Sequence, residues 1–324
     1  MSVLATMVGQ AGGGVTFVPT LTRGLAQGAI YALIALGFVL VFKATQTVNF
    51  AQGALALVGT WFFSMVLVDW RVPGRWLGDN RYVVWFSALI TALALAVVLG
   101  LVIERLVIRP MIGEPLFSIA VITLGLEAVL RTVGTDAVAV NNRNLGVPWG
   151  ATGFQLGGGF VYWSQIATIA AAALAFAGVY LFFRTRTGVA MRAVAFDQEA
   201  AMAQGISVGR VFAIAWGAGA ALAVVGALCA SMSPIGLGTA TAATSALAFR
   251  ALPAVILGGL DSVVGALIGG LVIGLSEVFA GAYLAEYTTT LGVGFQLIVP
   301  YIAMLIVLLV RPYGLFGTPE IRRV

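Results

Sequence analysis

Nine long apolar stretches, parted by short polar joints, run through the chain at roughly residues 21–42, 47–68, 83–104, 116–138, 160–183, 211–232, 244–260, 263–283 and 291–311. About 20 apolar residues in a helix cover the hydrocarbon core of a bilayer. Only helices and closed barrels satisfy their own backbone polar groups there. A succession of such lengths predicts an all-α polytopic membrane protein with about eight or nine transmembrane helices. Residues 1–324 read as one transmembrane domain. The 244–260 stretch is short, holds Pro253 and begins near Arg250, so it reads as a short span or a half-helix.

Only 9% of the residues are charged, against about 25% in a soluble domain. The 41 glycines lie inside the apolar runs and do not signal disorder. Small residues four apart let membrane helices approach closely, and Gly24/Gly28, Gly265/Gly269 and Gly270/Gly274 have that spacing. Histidine is absent and Cys229 is the single cysteine. An internal disulfide is excluded, and no metal site is expected, because zinc and haem sites need clustered His and Cys ligands. Cys229 reads as a small apolar residue.

A net charge of +5 would suggest nucleic acid as a partner of a soluble protein. Here the charges sit at the ends of apolar segments and report topology, so membrane lipid is the expected surrounding and no nucleic acid is. Placing 184–210 in the cytoplasm puts Lys43, Arg105, Arg109, Arg184, Arg186, Arg192, Arg210, Arg311, Arg322 and Arg323 inside. Arg23, Arg71, Arg75, Arg81 and Arg143 then lie outside, while Arg131 and Arg250 stay at membrane depth. That excess inside follows the positive-inside rule and sets the N-terminus outside and the C-terminus inside. The 69–81 joint, with three arginines partly offset by Asp69 and Asp79, runs against the rule. The first residues, MSVLATMVGQAGGGVTF, lack a basic leader and do not read as a cleavable signal peptide.

The 139–159 stretch is rich in Asn and Gly and reads as an external loop. Its Gly157-Gly158-Gly159 run superficially suggests a nucleotide loop. No strand is predicted before it and no basic residue follows, so a flexible hairpin is the better reading.

Residues 184–210, RTRTGVAMRAVAFDQEAAMAQGISVGR, gather Arg184, Arg186, Arg192, Asp197, Glu199 and Arg210 in one short stretch. Asp197 suits the N-cap of a helix, and Glu199 suits its positive end. Ala200 to Ala203 favour helix, and Gly205 suits the residue that ends it. A cytoplasmic helix of about two turns, framed by Gly188 and Gly205, is expected. It either joins two spans as a solvated face or docks into a partner's groove.

The run RAVAFDQEAAMAQGISVGRV (192–211) resembles the cytoplasmic coupling segment of ABC-importer permeases of the branched-chain amino acid uptake family. Residues 24–60, 122–135, 251–277 and the terminal VRPYGLFG (310–317) resemble the same family in the same order, so the likeness covers nearly the whole chain. It implies a coupling role toward an ATPase for Arg192, Phe196, Asp197, Glu199, Ala200, Ala201 and Gly205. The implied fold is similar to the type II permeases that import cobalamin and iron siderophores, with one fewer N-terminal span. The implied partners are two cytoplasmic ATPase subunits, a second homologous permease and a periplasmic binding protein, at the bacterial inner membrane. The chain has no G-x-x-x-x-G-K-[ST] loop. ATP would therefore be used by the partner subunits, with no cofactor bound by this chain.

Polar residues at membrane depth are costly and mark pathways or bundle interiors. Thr45, Gln46, Thr47, Asn49 and Gln52 form such a stretch, readable as a turn that caps helices or as an unwound segment lining a gate. Glu127 and Arg131 share a helix face at four-residue spacing, as a structural ion pair or as a gating contact between permeases. Arg250 needs a partner from elsewhere, for which Glu277 is available, and Asp261 reads as the cap of the 263–283 helix. No catalytic cluster is present, so an enzyme is not expected. Urea or short amides are alternative cargoes, and an ion-coupled secondary transporter is the competing class.

Overall fold

The computed structural model describes residues 16–71, 76, 78, 80–139, 145–236, 238–239, 241–287, 292 and 294–318. The N-terminal residues read for a leader, together with Arg75, Asp79, Arg143, Arg322, Arg323 and part of the 139–159 stretch, lie outside the described residues.

The helices are α1 (Phe17–Thr45), α2 (Gln52–Ser64), α3 (Arg81–Ile103), α4 (Leu116–Ala139), α5 (Trp163–Phe182), α6 (Arg186–Phe196), α7 (Gln198–Ala203), α8 (Val208–Ser231), α9 (Ala246–Gly258), α10 (Val263–Tyr283) and α11 (Val299–Val310). Wider π-type turns carry α2 on to Trp70 and α3 on to Ile108, and a tighter 3-10 turn takes α3 on to Met111. Among the described residues, seven helices are long and apolar enough to cross a membrane: α1, extended α2, extended α3, α4, α5, α8 and α10. The 244–260 and 291–311 stretches appear as shorter apolar helices, Ala242–Gly258 and Phe295–Val310. The second apolar stretch starts its helix at Gln52, because 46–51 forms a turn.

Helix α1 lies at the centre, packed against α10, α8, α9 and α5. Ile30 through Leu36 are wholly inaccessible to solvent. The glycine spacings explain how so many helices reach it. Gly270 and Gly274 of α10 meet α1 at Ala32 and Gly28, while Gly265 and Gly269 meet α9 at Gly258 and Ala254. A Cβ at Gly274 would overlap the Gly28 backbone nitrogen. Two faces of one helix are thus stripped to backbone, and the close van der Waals packing this permits is what holds helices together in lipid.

The helix ends sort into two groups. At one end, Lys43 of α1 lies over the Phe183 ring after α5, Arg109 after α3 donates to the Gly209 carbonyl of α8, and Asp261 before α10 accepts from Thr318. At the other, Arg81 donates to the Val147 carbonyl, Trp85 to the Leu145 carbonyl, and the Leu145 amide to the Gly238 carbonyl. The partition matches the alternation expected of successive spans.

The second end carries the one sheet among the described residues, an antiparallel hairpin of β1 (Gly153–Leu156) and β2 (Gly159–Tyr162). A strand therefore does precede the glycine run, contrary to expectation. The glycines serve the turn: Gly157 and Gly158 have φ of 61° and 81°, the left-handed conformation a primed two-residue hairpin turn demands. A second expectation also fails. Ser262, not Asp261, caps α10, its hydroxyl accepting from the Gly265 amide at 3.0 Å. Asp261 instead accepts from the amide and hydroxyl of Thr318, fastening the segment after α11.

Candidate functional site

Two short helices form an elbow between α5 and α8. Thr185 starts α6, its hydroxyl accepting from the Gly188 amide at 3.3 Å. Gly188 does not frame the elbow, as its sequence position suggested. It is buried in the first turn of α6, where a Cβ would overlap the Phe182 carbonyl and let α6 fold back less closely. Met191 and Val194 continue the buried stripe three and six residues on.

The elbow bends at Asp197, which is extended (φ −157°, ψ 110°). Its carboxylate accepts from the Ala200 amide at 2.9 Å, an N-cap that ends α6 and starts α7. The far end closes as the sequence anticipates. Gly205 has φ 79°, its amide bonds the Met202 carbonyl at 2.9 Å, and the Ile206 amide bonds that of Ala201 at 3.0 Å. That pairing is the Schellman closure, which satisfies the last carbonyls of a helix.

Of the seven residues assigned to coupling, Arg192, Phe196, Asp197, Glu199, Ala200 and Gly205 are exposed. Phe196, at 88% exposure, is a large aromatic ring standing free at the bend. Ala201 faces inward at 4%. Arg192 turns back along the chain and donates to the Phe183 carbonyl at 2.9 Å.

The 46–51 turn lies inside the bundle. Thr45, Thr47, Asn49 and Gln52 are buried and Gln46 is half-buried. Gln46 closes α1 in a left-handed conformation, φ 55°. Asn49 closes the turn before α2: its Oδ1 accepts from the Ala51 amide at 3.0 Å, and its Nδ2 donates to Gln52 Oε1 at 3.2 Å. Gln52 Nε2 donates to the Gly219 carbonyl, halfway along α8, at 3.0 Å. Thr123 of α4 accepts from the Phe50 amide at 3.2 Å. The Gln52 side chain reaches to Gly37, eight residues before the end of α1, a point about 12 Å back along that helix.

Residues 20–308 match the family model described as the branched-chain amino acid transport system permease component. The chain belongs to that family. The permease is 28% identical over 317 residues to the high-affinity branched-chain amino acid transport system permease protein LivH of Salmonella typhimurium, covering 95% of this chain and 98% of that one. It is 27% identical to BraD of Pseudomonas aeruginosa, with the same coverage. It is 31% identical over 306 residues to a probable LivH of Methanocaldococcus jannaschii, covering 90% and 92%. No solved structure matches. The chain is thus a multi-pass inner-membrane transport permease, and its family is not an enzyme class.

The permease brings Glu127 and Arg131 together at 3.0 Å, with the Glu127 side chain 10% and the Arg131 side chain 55% exposed. It does not pair Arg250 with Glu277. Glu277 accepts instead from the buried Tyr31 hydroxyl at 2.5 Å, and Arg250 acts on that pair only through space. Sequence reasoning also missed Glu104, which is buried and binds Arg109 through two 3.0 Å bonds. Arg109 in turn reaches the Gly209 carbonyl at the start of α8. The spacing of five between Glu104 and Arg109 suits the widened turns there and not a regular α-helix, which pairs residues three or four apart.

Proposed function

We propose that this chain is the membrane-spanning subunit of an ATP-binding cassette importer that carries branched-chain or related amino acids. The exposed elbow carries the reading. A capped two-turn helix with a free aromatic ring and two carboxylates stands between two spans, in a chain whose family is a transport permease. The LivH and BraD relatives are named for branched-chain amino acid transport, which supports that cargo class. Two ATPase subunits engage Phe196, Asp197, Glu199, Ala200 and Gly205 from the cytoplasm, while Arg192 and Ala201 hold the elbow to the bundle. A second, homologous permease and a periplasmic binding protein complete the importer.

In this reading the two shorter apolar helices supplement seven full spans to give eight or nine crossings in a type II arrangement, with the N-terminus outside and the C-terminus inside. The cargo crosses between the two permeases by alternating access. Thr45, Gln46, Asn49 and Gln52 form the hinge of that path, because non-helical backbone at membrane depth is stable only within protein or beside a water-filled cavity. Glu127 and Arg131 lie at the permease interface. ATP is hydrolysed by the partner subunits.

The test is uptake by the reconstituted importer, offered leucine, isoleucine, valine, other amino acids and urea with and without ATP. ATP-dependent uptake of branched-chain amino acids is expected. Uptake that ignores ATP and follows a proton gradient would overturn the reading, and uptake of urea alone would reassign the cargo.

A further inference from the structure

At the elbow end of the bundle, a cavity of about 320 Å³ opens between α1, α5, α6 and the start of α10. It is lined by Lys43, Arg192 and Asp261, with Tyr180, Phe183 and Phe316 among its apolar walls. Lys43 is the chain's single lysine. Among the described residues its ammonium forms no salt bridge; it lies over the Phe183 ring, 5.4 Å from the centroid, with the Asp261 carboxylate acting on it only through space. Arg192 spends one nitrogen on the Phe183 carbonyl. Asp261 is occupied by the amide and hydroxyl of Thr318. Two cations from different elements therefore share one recess with a single carboxylate that is already engaged.

We infer that this cavity binds the phosphate headgroup of an anionic phospholipid. Its position supports a lipid rather than a soluble anion. Lys43 stands in the last turn of α1 and Phe183 follows the last residue of α5, so the recess lies where spans meet the bilayer interface. Tyr180 and Arg184 stack beside it, 4.8 Å apart, as interfacial aromatic and basic residues do. Basic pockets between transmembrane helices are known lipid headgroup sites. A headgroup here would bridge α1 to α6 through Lys43 and Arg192, fixing the root of the elbow to the central helix. The inference needs only that the spans cross a bilayer, so it stands or falls apart from the importer reading.

The experiment takes the full chain, purified in neutral detergent, and adds phosphatidylglycerol or phosphatidylcholine with identical acyl chains. Lipid retention is read by native mass spectrometry and protection by the melting temperature. Preferential retention of phosphatidylglycerol is expected. Lys43→Gln and Arg192→Gln should each weaken that preference about fivefold, at roughly 1 kcal/mol per basic residue. Lys43→Arg, which keeps the charge, should retain it, as should Arg105→Gln, outside the cavity. Equal retention of phosphatidylcholine, or a double Gln variant that still prefers phosphatidylglycerol, would overturn the inference. Equal protection by inorganic phosphate would overturn the lipid assignment. Should the Gln variants fail to fold, the preference of the unaltered chain and of Lys43→Arg decides.

Discussion

Gln52 shows how one polar side chain is accommodated inside a membrane bundle. Its amide reaches across to the Gly219 carbonyl and back to Asn49, and it fits only because residue 37 is glycine. A Cβ at position 37 would overlap the Gln52 amide nitrogen. Gln52→Ala leaves the Asn49 amide without its partner in a buried site, costing about 1–3 kcal/mol. Gly37→Ala should cost a similar amount by pushing Gln52 out of place. The two costs should not add: with alanine at 52 the overlap disappears, and the double variant should melt no lower than Gln52→Ala alone. Melting temperatures of the three variants in detergent check this, and simple additivity would refute the fit. The polarity of 45–52 was legible in the sequence. Its depth was not, because depth is set by α8 and α4, whose carbonyl and hydroxyl partners lie 167 and 73 residues away.

At the scale of elements, the elbow was half legible. Asp197, Glu199 and Gly205 marked α7 because capping is local chemistry, written in adjacent residues. Helix α6 was missed, although Gly188, Met191 and Val194 carry its buried stripe at a spacing of three. Its arginines made the stretch look like a solvated flank. The hairpin was anticipated in shape, while its strands Gly153–Leu156 and Gly159–Tyr162 are too short to show alternation. Asp197→Ala removes the cap from α7, worth about 1 kcal/mol. Because α7 is peripheral, the melting temperature should barely move, while hydrogen exchange at residues 199–204 should quicken about fivefold. Unchanged exchange would mean that the packing of Ala201 alone holds α7. Glu199→Arg leaves the cap intact and reverses one exposed charge. It should abolish co-purification with the ATPase subunits without altering the melt, and normal co-purification would remove α7 from the docking surface.

For the whole molecule, what the sequence could not supply is which faces are covered by other chains, and the charges at membrane depth are the best guide. The small-residue spacings located close approaches, and three of them turn out to bind α1, α10 and α9 into one unit. Outside that unit, α4 exposes Leu124, Val129 and Val133 along with Arg131. Arg131 is the sixteenth residue of α4, about 22 Å from its first. A charge facing lipid there costs at least about 2.5 kcal/mol. The guanidinium therefore has either the Glu127 carboxylate as its whole purpose or a second contact beyond this chain. Exchanging the pair, Glu127→Arg with Arg131→Glu, keeps the ion pair and moves the exposed charge to the other sign. If the pair is only structural, each single variant should lose uptake and the exchanged pair should regain it. With Arg131 at the permease interface, the exchanged pair should insert and melt normally yet stay inactive, because a carboxylate then stands where the neighbouring permease meets a guanidinium. Uptake and melting of the four proteins distinguish the two, and the second outcome is expected, since more than half of the Arg131 side chain remains exposed after its partner is satisfied.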